Sequence, residues 1–175
     1  MTLVTRELKE AVQKLFEDWS TPGAKTVRPT VAETRMIGPQ TSEANWPSFK
    51  VVSDEPKSVG GTDSAPSPSA LFMASIGFGE NVIFARQAAF EGVEFDSYET
   101  KVEGPWDRKG IFEIDGASPS ITRILIETKV TTGAPPARIA ELLKLTHRRS
   151  PMTTTVAKAA KIERRLFVNG VEVPV

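Results

Sequence analysis

Asp54-Glu55-Pro56 … Gly60-Gly61-Thr62-Asp63 … Pro66-Ser67-Pro68-Ser69-Ala70-Leu71-Phe72 is the stretch on which the reading of this 175-residue chain turns. Residues 54–69 hold three prolines and two adjacent glycines, which makes them a long irregular segment. A loop of this length in a compact domain usually carries function or a subunit contact. Ser67-Pro68 then opens a helix, because Ser caps well and Pro is tolerated at the first helical position. The spacing predicts a helix to about Glu91, with Gly92 as its stop. At 1.5 Å per residue, ~23 residues span roughly 35 Å. Leu71, Phe72, Met73, Ile76, Phe78, Val82, Ile83, Phe84 and Ala88 surround most of this helix. A helix apolar on nearly all faces belongs in a core or an interface.

Upstream, Leu8, Val12, Leu15, Phe16 and Trp19 share one face of a predicted helix over 5–19, stopped by Thr21-Pro22-Gly23. It is either a packing or dimer-bracing element or a lid. Strands are expected over 28–37 and 48–53, joined by an irregular segment from Gly38 to Pro47. Downstream, strands are expected over 94–103 and 120–131, with a short one at Ile111–Ile114. Pro135-Pro136 opens a helix to about Thr146, and Ser150-Pro151 opens a second, short one to about Lys158. A last strand over 160–168 leads into the hairpin-type turn Asn169-Gly170. The mixture is α+β, mainly antiparallel sheet curled around central helices. The expected organisation is a helical extension, 1–27, followed by one domain, 28–175.

Lys+Arg and Asp+Glu balance at 22 each, so nothing in the charge calls for nucleic acid or an anionic membrane surface. No basic start followed by an apolar run marks a secretory signal. The apolar region around 70–90 is interrupted by Ser75, Glu80, Asn81 and Arg86, so no bilayer span of ~20 residues is expected. A soluble, cytoplasmic protein is expected. With no cysteine and only His147, disulfides, thiolate metal sites and a zinc site are not expected, and no cofactor is called for.

The opening motifs, taken with His147-Arg148-Arg149-Ser150-Pro151-Met152, resemble the OsmC/Ohr family of thiol-dependent hydroperoxide reductases. The resemblance covers about residues 28–170, and the elements follow in the family's order. It implies an OsmC-like fold and an intertwined homodimer with long helices packed centrally and two sites at the subunit interface. Where those enzymes carry their two thiols, this chain has Gly79 and Ser150. Their Pro-x-Glu also departs, since Ser67 to Ser69 offer only hydroxyls. Peroxide reduction needs a thiolate that becomes a sulfenic acid and is resolved by a second thiol. Serine cannot run that cycle and glycine has no side chain, so thiol peroxidase activity is not expected.

Several residues remain as candidates at the altered site. Gly79, with Gly77, either permits close helix packing or opens room for a ligand. Glu80, in an apolar run beside the former thiol position, is a candidate acid or base if burial shifts it; it can equally be half of an ion pair, or exposed. Arg28 or Arg35 from the early strands can meet it, and the resemblance makes Arg35 a substrate-binding candidate. Asn81 can orient a substrate carbonyl. His147 is a second catalytic candidate, or incidental. Ser150 is a helix cap lying at the site, and Arg148 and Arg149 suit a carboxylate or simply solvent. Phe78 can wall a pocket with Trp46, Trp106, Phe72 and Tyr98, or these can form core. Asp63 and Asp107 lie in loops as polar contributors.

Three functions compete. The first is a cofactor-free acid–base hydrolase, lyase or isomerase using Glu80 on a small organic substrate in the interface pocket. The second is a protein that binds such a molecule without turnover. The third is a structural or stress-associated homodimer with a vestigial site. A Glu80 exposed or locked in a salt bridge favours the last.

Overall fold

The computed structural model describes residues 2–174. Along the chain run α1 (Arg6–Ser20), β1 (Glu33–Met36), β2 (Ser42–Trp46), β3 (Phe49–Ser53), α2 (Pro68–Phe90), β4 (Ser97–Glu103), β5 (Arg123–Thr131), α3 (Pro136–Arg149), α4 (Pro151–Val156), β6 (Lys161–Val168) and β7 (Val171–Val173). The predicted start and stop of the long helix both hold. Ser67 Oγ accepts from Ala70 N at 3.3 Å, and Pro68 is the first residue of α2. At the far end Gly92 takes φ +67°, and Val93 N donates to Ala88 O at 2.9 Å while Gly92 N donates to Ala89 O. This is the reciprocal closure a left-handed glycine provides.

Two compact units divide the chain, one of residues 1–20 with 75–175 and one of residues 21–74. In the larger unit a four-stranded sheet runs β4-β5-β6-β7. β4/β5 and β6/β7 pair antiparallel and β5/β6 parallel, the crossover being supplied by α3 and α4. Along β5, Ile124, Ile126, Thr128 and Val130 alternate inward and are buried. They meet a core built from Phe84 and Ala88 of α2, Ile139, Leu142 and Leu143 of α3, and Leu166 and Val168 of β6. Val12 of α1 joins the same core. Tyr98 stacks on Phe84 with ring centroids 4.3 Å apart.

The smaller unit is a three-stranded antiparallel meander, β1-β2-β3. Its register pairs Thr34 with Ala44, Ala44 with Val51, and Trp46 with Phe49. Because side chains alternate across a strand, Met36, Ala44, Trp46, Phe49 and Val51 share one face, and Arg35, Glu43, Asn45 and Lys50 share the other. On the polar face Glu43 accepts from Arg35 Nε at 2.6 Å and pairs with Lys50. These donors lower its pKa to about 2, Lys50 contributing most.

The loop that follows explains the opening motif. Asp54, buried, accepts from Thr41 Oγ1, Glu55 N, and both the backbone N–H and the hydroxyl of Thr62 and of Ser64. These bonds hold its carboxyl well below the usual range, the Thr62 hydroxyl having the largest effect. Gly60 takes φ +93°, and a Cβ on Gly61 would collide with the Glu55 carbonyl. Asp54-Glu55-Pro56 and Gly60-Gly61-Thr62 are thus two halves of one closed loop.

Four expectations are corrected. The join 38–47 contains a strand, β2, and the preceding strand begins at Glu33, not at residue 28. Ile111–Ile114 is not a strand: the segment forms two short 3-10 turns, Arg108–Phe112 and Ile114–Gly116, with Glu113 and Asp115 both at positive φ. α3 runs on to Arg149 and so carries His147, Arg148 and Arg149 in its last turn, where cations suit the helix dipole. Separately, α2 is long and apolar enough by length and composition to cross a membrane, a weak sign that core helices of soluble proteins also give, so it does not overturn the expectation of no bilayer span.

Candidate functional site

The site lies where the middle of α2 meets the α3–α4 junction and β6. Ser150 ends α3 and caps α4, its Oγ accepting from Thr153 N at 3.4 Å. Pro151 at the first position of α4 fixes that turn. A Cβ built on Gly79 would lie 3.2 Å from Ser150 Oγ, so the two positions that the resemblance pairs are neighbours in space. The same Cβ would also collide with the terminal methyl of Met152. Gly79 therefore gives close packing within the chain, and Met152 of α4 occupies the room that a missing side chain leaves.

Next to Gly79 on α2, Glu80 is fully buried. Its carboxylate is gripped by Arg164 in a two-pronged pair, Nη1 to Oε2 at 3.0 Å and Nη2 to Oε1 at 3.2 Å. Thr153 Oγ1 donates to Oε1 and lies 3.1 Å from Ser150 Oγ. Arg164 Nη2 also donates to His147 Nδ1. The arginine that meets Glu80 is thus Arg164, not Arg28 or Arg35; Arg35 is held by Glu43 on the meander. A legible signal for Arg164 exists. In β6, Ile162, Arg164, Leu166 and Val168 share one face by the strand's period of two, and an arginine in an otherwise apolar, core-facing row needs a buried anion.

Burial lowers the His147 pKa below its ordinary value, the Arg164 charge adds to this, and Glu80 opposes it. Since Arg164 donates to Nδ1, that nitrogen is the acceptor and the neutral ring carries its proton on Nε2. His147 and Arg164 also border an open recess of about 630 Å³ with Ile162, Arg165, Glu172 and Val173. Beneath them, burial, and secondarily the Glu80 charge, raises the Tyr98 phenol well above its usual value. Among the described residues, Arg164 Nε is buried without a hydrogen-bond partner, while Thr128 and Thr100 lie against the Tyr98 hydroxyl. The cluster is an incompletely satisfied polar network inside a core, which is costly to keep.

The other candidates lie apart from this network. Asn81 Oδ1 accepts from Thr100 Oγ1 at 2.6 Å, which ties α2 to β4. Phe78 is 66% exposed. Arg149 points to Gln87, whose Oε1 accepts from its Nη1, and so turns away from Glu80. Trp46 Nε1 donates to Val31 O, Trp106 lies under Arg108, and Tyr98 packs in the core against Phe84. Asp107 caps the 3-10 turn after it through Lys109 N.

The lowered His147 pKa has a measurable consequence. A group whose folded-state pKa lies below its unfolded value contributes stability at high pH and loses it as the unfolded state takes up a proton. Stability should therefore fall as pH drops through about 6.5 toward the folded-state pKa. His147→Asn should flatten that part of the pH–stability curve, read by chemical denaturation between pH 5 and 8.

Comparison with known proteins bears on what this arrangement belongs to. A helix-backed sheet with Gly79 on the long helix and Ser150 beside it in space at the start of a short one is the OsmC-like class of α+β fold. The sequence profile of that family, described as OsmC-like protein, matches residues 61–165, and the chain belongs to this family. A search of curated proteins found no match. Among solved structures, an OsmC-like protein from Mycoplasma pneumoniae superposes with a TM-score of 0.70 at 14% identity, covering 81% of this chain and 97% of that one. An organic hydroperoxide resistance protein, OsmC, from Legionella pneumophila gives 0.60 at 14% identity, covering 82% and 100%. A Vibrio cholerae structure with captopril bound in one of the active sites gives 0.59 at 14% identity, covering 85% and 98%. At these identities the likeness is one of fold.

Proposed function

We propose that this chain is a soluble, cytoplasmic OsmC-like homodimer that binds a small organic molecule without turning it over. One observation carries the absence of turnover in this reading: the place where the family's redox centre lies is closed. Gly79 and Ser150 pack together under Met152, and the one carboxylate there, Glu80, is buried and engaged by Arg164 and Thr153. Neither a nucleophile nor a free general acid or base is left at that point. The salt-bridged Glu80 also supports a structural role for the old site. Captopril in a Vibrio cholerae relative's active site supports the capacity of this fold to hold small molecules.

The test has two arms. With an organic hydroperoxide and a dithiol, no turnover above background is expected; measurable turnover would overturn the reading. A thermal-shift panel of small organic molecules, followed by mass spectrometry of the incubates, should find ligands that stabilise the protein and leave no product. A second reading, a cofactor-free hydrolase, lyase or isomerase, is favoured by one feature, the neutral His147 at the edge of an open recess beside Arg164. Product formation lost in both Glu80→Gln and His147→Asn would establish it in place of the first.

A further inference from the structure

The larger unit holds an apolar groove that no part of the network above touches. It is formed where the exposed side of α1 lies along the end of α2, and has a volume of about 310 Å³. Val12, Leu15, Phe16 and Trp19 of α1 and Phe90 of α2 wall it. Phe16 and Phe90 meet with ring centroids 5.0 Å apart, while Phe16 and Trp19 remain 53% and 58% exposed. Two large aromatic side chains left half open in a concave surface are the usual mark of a ligand groove.

The polar part of the lining is entirely of one sign. Arg86 and Arg149 border the groove, with Gln87 between them. Gln87 accepts from Arg149 Nη1, which fixes the guanidinium by one prong and leaves its other donors to a ligand. Two cationic forks bordering an apolar trough match a molecule with an apolar tail and a carboxylate head.

We infer that the groove between α1 and α2 binds apolar monocarboxylates of medium chain length, with the tail against Phe16, Trp19 and Phe90 and the carboxylate on Arg86 and Arg149. This rests on the binding reading above and gives it a site and a ligand class. α1 becomes one wall of the site, a role distinct from bracing a dimer. It also gives Arg149 the carboxylate-binding role its chemistry suits, at a place other than the former redox centre.

Isothermal titration of the full chain with sodium octanoate, decanoate and dodecanoate, each below its micelle concentration, tests this. Affinity should rise roughly fourfold per added CH₂ until the groove is filled. The double variant Arg86→Ala/Arg149→Ala should weaken decanoate binding by at least about tenfold, and Trp19→Ala should do likewise. Decyltrimethylammonium, with the same tail and the opposite charge, should not bind measurably. Lys158→Ala, at an exposed position outside the groove's lining, should bind decanoate as the parent does. The inference is overturned if no carboxylate binds at millimolar concentration, if the cationic surfactant binds equally well, or if the double variant binds unchanged. It is also overturned if Trp19 in the ligand-free protein is shielded from an aqueous quencher, which would mean that another copy of the chain fills the groove. Failure here with other ligands still found in the thermal-shift panel would remove this site and leave the binding reading standing.

Discussion

Arg164→Ala is expected to destabilise the protein by about 3–5 kcal/mol, seen as a fall in Tm of about 6–20 °C for a chain of this size. The magnitude follows from where the two charges sit. Glu80 has no exposed surface and Arg164 is 11% exposed at its side chain. The pair makes two hydrogen bonds of 3.0 and 3.2 Å, and removing one partner leaves a carboxylate in the core with only Thr153 to meet it. The companion variant separates structure from function. Glu80→Leu with Arg164→Met removes both charges and keeps comparable volume, so most of the lost stability should return. Chemical denaturation of the parent, the single and the double variant completes the cycle. A single variant within 1 kcal/mol of the parent would contradict the buried-pair account. If the double variant is stable and still binds ligand, the pair is an architectural remnant.

Phe49→Asp is expected to dissociate the proposed homodimer, weakening it by roughly 30- to 1000-fold, as loss of an interface hot spot of about 2–4 kcal/mol does. The reason lies in the meander. Its apolar face presents Met36 at 70%, Phe49 at 75% and Val51 at 41% exposure. None of the described apolar residues between 21 and 74 is among the buried ones. A three-stranded sheet needs a covered hydrophobic face to be stable, and under the proposed homodimer a second copy of the chain supplies that cover. α2 adds Phe78 and Val82, one turn apart and both exposed. Sedimentation velocity should find a dimer for the parent at micromolar concentration and a monomer or unfolded chain for Phe49→Asp. Lys50→Ala, on the opposite, polar face, should leave the dimer intact. A parent that sediments as a monomer would refute the proposed assembly.

The elements that were legible in the sequence have local causes. Ser67-Pro68, Gly92, Ser150-Pro151 and Asn169-Gly170 each act within a few residues, and each delimits the element it predicts. β2 was not legible because Ser42-Glu43-Ala44-Asn45-Trp46 has no β-branched residue; it is a strand because β1 and β3 pair on either side of it. Ile111 and Ile114 have strand-forming side chains, but left-handed backbone at Glu113 and Asp115 folds them into turns.

The sequence by itself determined the family, the order of helices and strands, the missing thiols and the two positions, Gly79 and Ser150, that replace them. Those are properties of residues and their neighbours along the chain. Only the tertiary structure decided what the replacements did. Glu80 finds Arg164 across 84 positions, Met152 closes over Gly79, and Arg149 turns to Gln87 across 62. Whether a buried carboxylate is reactive or locked depends on the charge placed opposite it by the packing of separate elements, and no local pattern specifies that distance.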